Sequence, residues 1–190
     1  MFRGPAKPSL FRLSIPSSIK NANFGANEYL RLFCKSATIP EISLETIGAN
    51  GQERMGVVRQ QPVGIMYAKP LTITVIERTD FIAYNNIKEW FDLISPDAND
   101  FLDLSHRMAY YDTYTCDIKL KKLESALEQN IRNTRDGYES PLTVIFKNAF
   151  PTSIGSISFD NEAQNSLVTY DVSFSYTTYT TRKDDIDNDD

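Results

Sequence analysis

Alternation constrains this chain more than any other feature. From Val168 to Thr177, Val168, Tyr170, Val172, Phe174 and Tyr176 point one way, while Thr169, Asp171, Ser173, Ser175 and Thr177 point the other. That is the period of a strand with one face on a core. The same period recurs at Phe11, Leu13 and Ile15; at Leu30, Leu32 and Cys34; and at Leu71, Ile73 and Val75. It continues at Tyr114, Cys116, Ile118 and Leu120; at Leu142, Val144 and Phe146; and at Ile157 and Phe159. Strands with one apolar and one polar face make a mainly β fold, an antiparallel sandwich or barrel-like architecture. The 190 residues suffice for one such domain with a real core.

One helix is expected at about 80–95. Asp80 is a suitable N-cap, and Tyr84, Ile87, Phe91 and Ile94 recur at spacings of three and four, with Trp90 widening the stripe. Ser95-Pro96 ends it, because the residue before proline avoids the α region. A further helical turn is suggested at 122–129. Residues 45–64 carry four glycines and little alternation, and read as a long loop of the kind that is usually functional. Residues 121–140 read as an exposed hairpin tip between strands at 114–121 and 141–148, with Asp136-Gly137 as its turn signal. The expected organisation is one domain over 1–182 and a solvated, disordered acidic tail over 183–190.

The formal charge of −5 is concentrated at the end, where Asp184–Asp190 holds five Asp, so the remaining body is close to neutral. That excludes a body basic enough overall to grip nucleic acid by phosphate neutralisation. No apolar run approaches the ~20 residues that span a bilayer, and the start lacks the apolar stretch of a signal peptide. Synthesis in a cytoplasm is expected, with no membrane insertion.

Catalytic chemistry finds no foothold. His106 is the one histidine, in a Leu-Ser-His-Arg-Met context without nucleophile or orienting partner. Asp97, Asp100 and Asp103 lack the alternating spacing of a calcium loop. Cys34 and Cys116 are too few for zinc and read as buried thiols. No glycine-rich phosphate cradle is present. No catalytic residue, metal or cofactor is expected. Residues 148–181, by contrast, hold no Lys or Arg at all, only Asp160, Glu162 and Asp171. Bases and prolines normally blunt exposed sheet edges. The absence of Lys and Arg fits either a polar solvent-facing sheet or a face from which positive charge is excluded.

Asn148-Ala-Phe-Pro-Thr-Ser-Ile-Gly155, the following Ile157-Ser-Phe-Asp160 and the long strand to Tyr179 resemble the end of contractile-phage tail tube proteins. Phe33-Cys-Lys-Ser-Ala-Thr-Ile-Pro40 resembles that family's Cys-Lys-x-x-x-(Leu/Ile)-Pro, and the strand at 71–76 followed by a Trp90 helix sits where the family places that pair. The resemblance covers roughly 9–180. It implies a subunit that closes into six-membered rings with a continuous inner β-barrel. Stacked rings then form a tube inside a contracting sheath, as in the related type VI secretion tubes. The implied partners are further copies, the tail sheath protein, tube initiator or baseplate and tail terminator proteins, and, in the lumen, a tape measure protein and genomic DNA contacted without sequence specificity. The implied location is the virion tail, assembled in the host cytoplasm. A tube initiator or baseplate-junction protein and a type VI-like tube subunit are the nearest alternatives; a monomeric carbohydrate-binding module is a distant one.

In such a tube the 45–64 loop is expected to reach the next ring. Gly48, Gly51 and Gly56 would allow close backbone approach, and Arg54 and Arg59 would supply ion pairs. Asp160, Glu162 and Asp171 are the expected lumen charges, with 121–140 and the acidic tail facing outward.

Overall fold

In a computed structural model, the described residues are 9–16, 18–19, 22–23, 33–49, 59–67, 70–95, 108–125, 138–160 and 166–182. The strands are β1 (Phe11–Ser14), β2 (Ser18–Ile19), β3 (Ala22–Asn23), β4 (Cys34–Thr38), β5 (Ile42–Ala49), β6 (Arg59–Tyr67), β7 (Leu71–Ile76), β8 (Cys116–Ser125), β9 (Tyr138–Ile154), β10 (Thr169–Ser175) and β11 (Thr178–Arg182). The helices are α1 (Ile82–Ile94) and the single turn α2 (Tyr111–Tyr114).

Two antiparallel layers share one strand. The first runs β1–β8–β9–β11, the second β9–β10–β7–β4. The 17-residue β9 serves both because it bends at Asn148, which takes a left-handed φ of 52°. Asn tolerates that region better than most residues. The Asn148 N–H donates to Asp117 Oδ1 at 3.2 Å, and Lys147 Nζ pairs with the same carboxylate. The register slips there: Phe146 lies opposite Ile118, but Ala149 lies opposite Cys116. This bulge re-aims the strand into the second layer. A second irregularity, at Thr152, accommodates Pro151, which has no N–H to give.

Between the layers, Leu13, Ile118, Leu120, Val144 and Phe146 meet Leu71, Ile73, Val75, Val172 and Phe174, and α1 adds Ala83, Ile87, Trp90 and Ile94. Each large side chain fully buried in this way contributes about 1.5–3 kcal/mol. Trp90 is completely buried, sits 5.8 Å from Phe174 ring to ring, and donates its indole N–H to the Tyr114 carbonyl at 2.8 Å. The helix lies where its stripe predicts.

Its start differs from expectation. Phe81, in a left-handed conformation, occupies the cap position without a side-chain bond, and Asp80 instead pairs with Arg78 at 3.3 Å. The orphan amides are met by Glu77, 8% exposed, whose carboxylate accepts from the N–H groups of Ala83 (3.3 Å) and Tyr84 (3.0 Å) and from the Tyr170 hydroxyl (2.7 Å). A buried carboxylate is tolerable only with such donors, and the helix N-terminus favours its charge. Burial, reinforced by the Glu77 bond, pushes the Tyr170 hydroxyl's pKa up, keeping it a donor.

Other expectations need correction. The helical turn at 122–129 is strand as far as Ser125, because β8 continues to pair with β9 up to Ser125 opposite Tyr138. The tip is therefore shorter than 121–140, and its remaining residues lie outside those described, as do the acidic tail, His106 and Asp97, Asp100 and Asp103. Residues 155–160 form no strand. Cys34 and Cys116 are free and half-buried, and burial pushes both thiols up to about 12. Among the described residues there is no metal-capable cluster and no helix long and apolar enough to cross a membrane.

Candidate assembly surfaces

The segment at 45–64 is largely a two-stranded ribbon, not a loop. β5 and β6 pair from Ile42 opposite Tyr67 out to Ala49 opposite Arg59. Glycines hid this, yet the ribbon prolongs the body's own edge pair: Thr38 opposite Thr72 in β4–β7 resumes as Ile42 opposite Tyr67. The ribbon is rooted by an aromatic cluster in which Tyr67 lies 5.4 Å from Tyr179 and 6.2 Å from Tyr176. The Tyr179 hydroxyl donates to the Pro40 carbonyl at 3.0 Å, fixing the joint between β4 and β5. Burial raises the Tyr176 and Tyr179 hydroxyls, keeping both protonated.

Beyond this root the ribbon's apolar side chains are bare. Leu44 and Ile65 lie directly opposite each other and are 62% and 59% exposed; Ile47, Val63, Ile42 and Met66 are also exposed. A two-stranded ribbon with uncovered Leu and Ile is marginal alone in water, and contiguous bare apolar groups mark an interaction surface. Sequence reasoning missed these residues, although Ile42-Ser-Leu44 and Val63-Gly-Ile65 carry the strand alternation.

The second surface is the outward face of the layer β9–β10–β7–β4. Its central paired positions are hydroxyls around a single carboxylate, flanked by Ile76 opposite Thr169 and Phe150 opposite Ser175. Ser36 Oγ donates to Thr74 Oγ1 at 3.0 Å, and Thr74 donates to Asp171 Oδ1 at 2.7 Å. Thr72 and Ser173 hydroxyls lie 3.5 Å apart, and Thr152 donates to the Ser173 carbonyl at 3.1 Å. Lys35 sits at the rim, in the bulge of edge strand β4. Asp171 is thus central to a hydrogen-bonded polar face. Gly155 backs this site: its N–H donates to the Asp171 carbonyl at 2.7 Å, and a Cβ there would meet that oxygen at 3.1 Å.

The remaining candidate residues scatter. Asp160 is exposed in the segment after β9, beside Phe159, whose ring is 6.0 Å from Phe81, and does not join the hydroxyl face. Gly48 lies in β5 opposite Gln60, and Arg59 opens β6. Gly51, Arg54, Gly56 and Glu162 lie outside the described residues.

The sequence profile of phage tail tube proteins matches residues 6–182, nearly the whole chain. The chain belongs to the phage tail tube protein family. It is therefore a structural protein of phage tails, not an enzyme. Solved structures share the fold. The tube-terminating cap of the anti-feeding prophage is 16% identical with a TM-score of 0.60, covering 97% of this chain and 95% of that one. The sheath/tube terminator of an extracellular contractile injection system is 19% identical at 0.57 (96% and 99%), and that system's sheath–tube complex is 20% identical at 0.53 (94% and 92%). No curated protein sequence matches it.

Proposed function

We propose that this chain is the repeating subunit of a phage tail tube, closing side by side into six-membered rings that stack into a conduit for DNA inside a contractile sheath. The observation that carries the reading is the ribbon: next to the body's edge pair β4–β7 stands a bare, apolar, two-stranded arm, β5–β6. Neighbouring copies supply what it lacks, covering its side chains and pairing its edges, and closure into a ring removes the edges of every copy. The 45–64 segment, whose described part is the ribbon, reaches the next ring in this reading, with Gly48, Gly51, Arg54, Gly56 and Arg59 as its contact residues.

The hydroxyl face is the lumen surface in this reading. DNA must slide without being gripped, and cations on the wall would hold its phosphates. Asp171, amid Thr and Ser, repels them instead, and Asp160 and Glu162 are proposed as further repelling charges of the lumen. The sheath, tail terminator, baseplate and tape measure proteins are the corresponding partners. The virion tail is the resting place of a subunit assembled in the host cytoplasm.

Negative-stain images of the purified full chain test this: long hollow tubes are expected, and a persistent monomer at high concentration would overturn it. Deleting 48–56 should leave rings without tubes. A second reading is a ring that starts or caps the tube, since a cap and a baseplate structure share this fold as the sheath–tube complex does. That role predicts single rings from the unmodified chain.

A further inference from the structure

The other outward face is chemically opposite. On β1–β8–β9–β11, residues facing away from the core are found by register: Arg12 opposite Lys121, Lys121 opposite Thr143, Thr143 opposite Arg182, and Lys119 between Ser14 and Ile145. Lys147, paired with Asp117, continues the same face opposite Thr178. Five cations from four adjacent strands therefore share one side of one sheet: Arg12, Lys119, Lys121, Lys147 and Arg182. Ile145, in the middle of the face, is only 8% exposed. Long basic stems commonly cover such a position while their heads reach water.

The chain's strongest negative charge begins where this face ends. β11 closes at Arg182, in the same cross-strand row as Lys121 and Arg12, and Asp184–Asp190 follows with five Asp. Eight residues extended reach about 26 Å, whereas crossing from β11 over β9 and β8 to β1 needs about 14 Å at the usual strand spacing. Tethering keeps the effective concentration of such a segment in the millimolar range.

We propose that the Asp-rich segment 184–190 folds back across its own chain's basic face and occupies it as an internal polyanion. It thereby denies that face to nucleic acid in the cell where the subunit is made. This goes beyond the tube reading and holds whether or not the chain forms tubes.

The test uses the full chain with Asp184, Asp185, Asp187, Asp189 and Asp190 all changed to Asn, and fluorescent single-stranded DNA as the probe. Neutralising the segment should tighten DNA binding about 10-fold or more at low salt. About four released cations would give a log–log salt slope near −3. Adding Lys119→Ser and Lys121→Ser should abolish that gain. Zero-length carbodiimide coupling of the unaltered chain should join the segment to Lys119 or Lys121 within one chain, read as links in monomer-mass species. Equal DNA affinity with and without the Asp residues would overturn the proposal. So would a gain that survives the Lys changes, or links confined to Lys35 and Lys88 or to pairs of chains.

Discussion

Of two successive strand pairs, β4–β7 is finished within the chain and β5–β6 is not. Where β4 and β7 cross the body, Leu71, Ile73 and Val75 are wholly buried and their outward neighbours are tied by hydroxyl bonds. A few residues further on, β5 and β6 carry Leu44, Ile47, Val63 and Ile65 at about six-tenths exposure. Both pairs have the alternation of a half-buried sheet, so burial by other parts of the same chain is what separates them. The contrast teaches that part of the core this sequence encodes lies between molecules.

Substitutions should divide along that line. Phe174→Ala, in the body, should cost the isolated subunit about 4 kcal/mol through its lost packing on Trp90, measured by denaturant unfolding. Glu77→Ala should cost about 3 kcal/mol, since the Ala83 and Tyr84 amides and the Tyr170 hydroxyl lose a charged acceptor. Gly155→Ala should cost about 1–2 kcal/mol, because the new methyl meets strand backbone at Asp171 rather than a yielding side chain. On the ribbon, Leu44→Ser with Ile65→Ser should stay within about 0.5 kcal/mol for the isolated subunit while abolishing assembly. A ribbon variant as destabilised as Phe174→Ala would break the comparison.

The thiols give the smallest effect. Burial holds Cys34 and Cys116 at about 12 against an ordinary 9.0. Both should resist alkylation near pH 8 in the native subunit and react readily in denaturant. Because the folded values are raised, their contribution to stability is complete below pH 9 and is lost as pH climbs from there towards 12.

Much of the body was legible because periodicity and burial coincide there. β1, β7 and β10 follow their alternation, and the helix expected at about 80–95 spans Ile82–Ile94. What escaped was non-local. The phase of β9 changes at Asn148 through a bond to Asp117, thirty-one residues earlier in the chain, and no local pattern announces that. Glu77 caps α1 from the preceding strand rather than from the usual adjacent position held by Asp80. The ribbon was obscured by Gly48 and Gly64, which weaken the strand signal. The hydroxyl face was anticipated through the absence of Lys and Arg over 148–181 and the place of Asp171. The basic face was hidden by a near-neutral total, since only register brings Arg12, Lys119, Lys121, Lys147 and Arg182 to one side.

Amide hydrogen exchange on dispersed subunits and on assembled material tests the unfinished-ribbon account most directly. In the dispersed state, amides of Ile42–Ala49 and Arg59–Tyr67 should exchange orders of magnitude faster than those of Leu71–Ile76, then become comparably protected on assembly. Ribbon amides already as protected as β7 in the lone subunit, or unchanged by assembly, would contradict it.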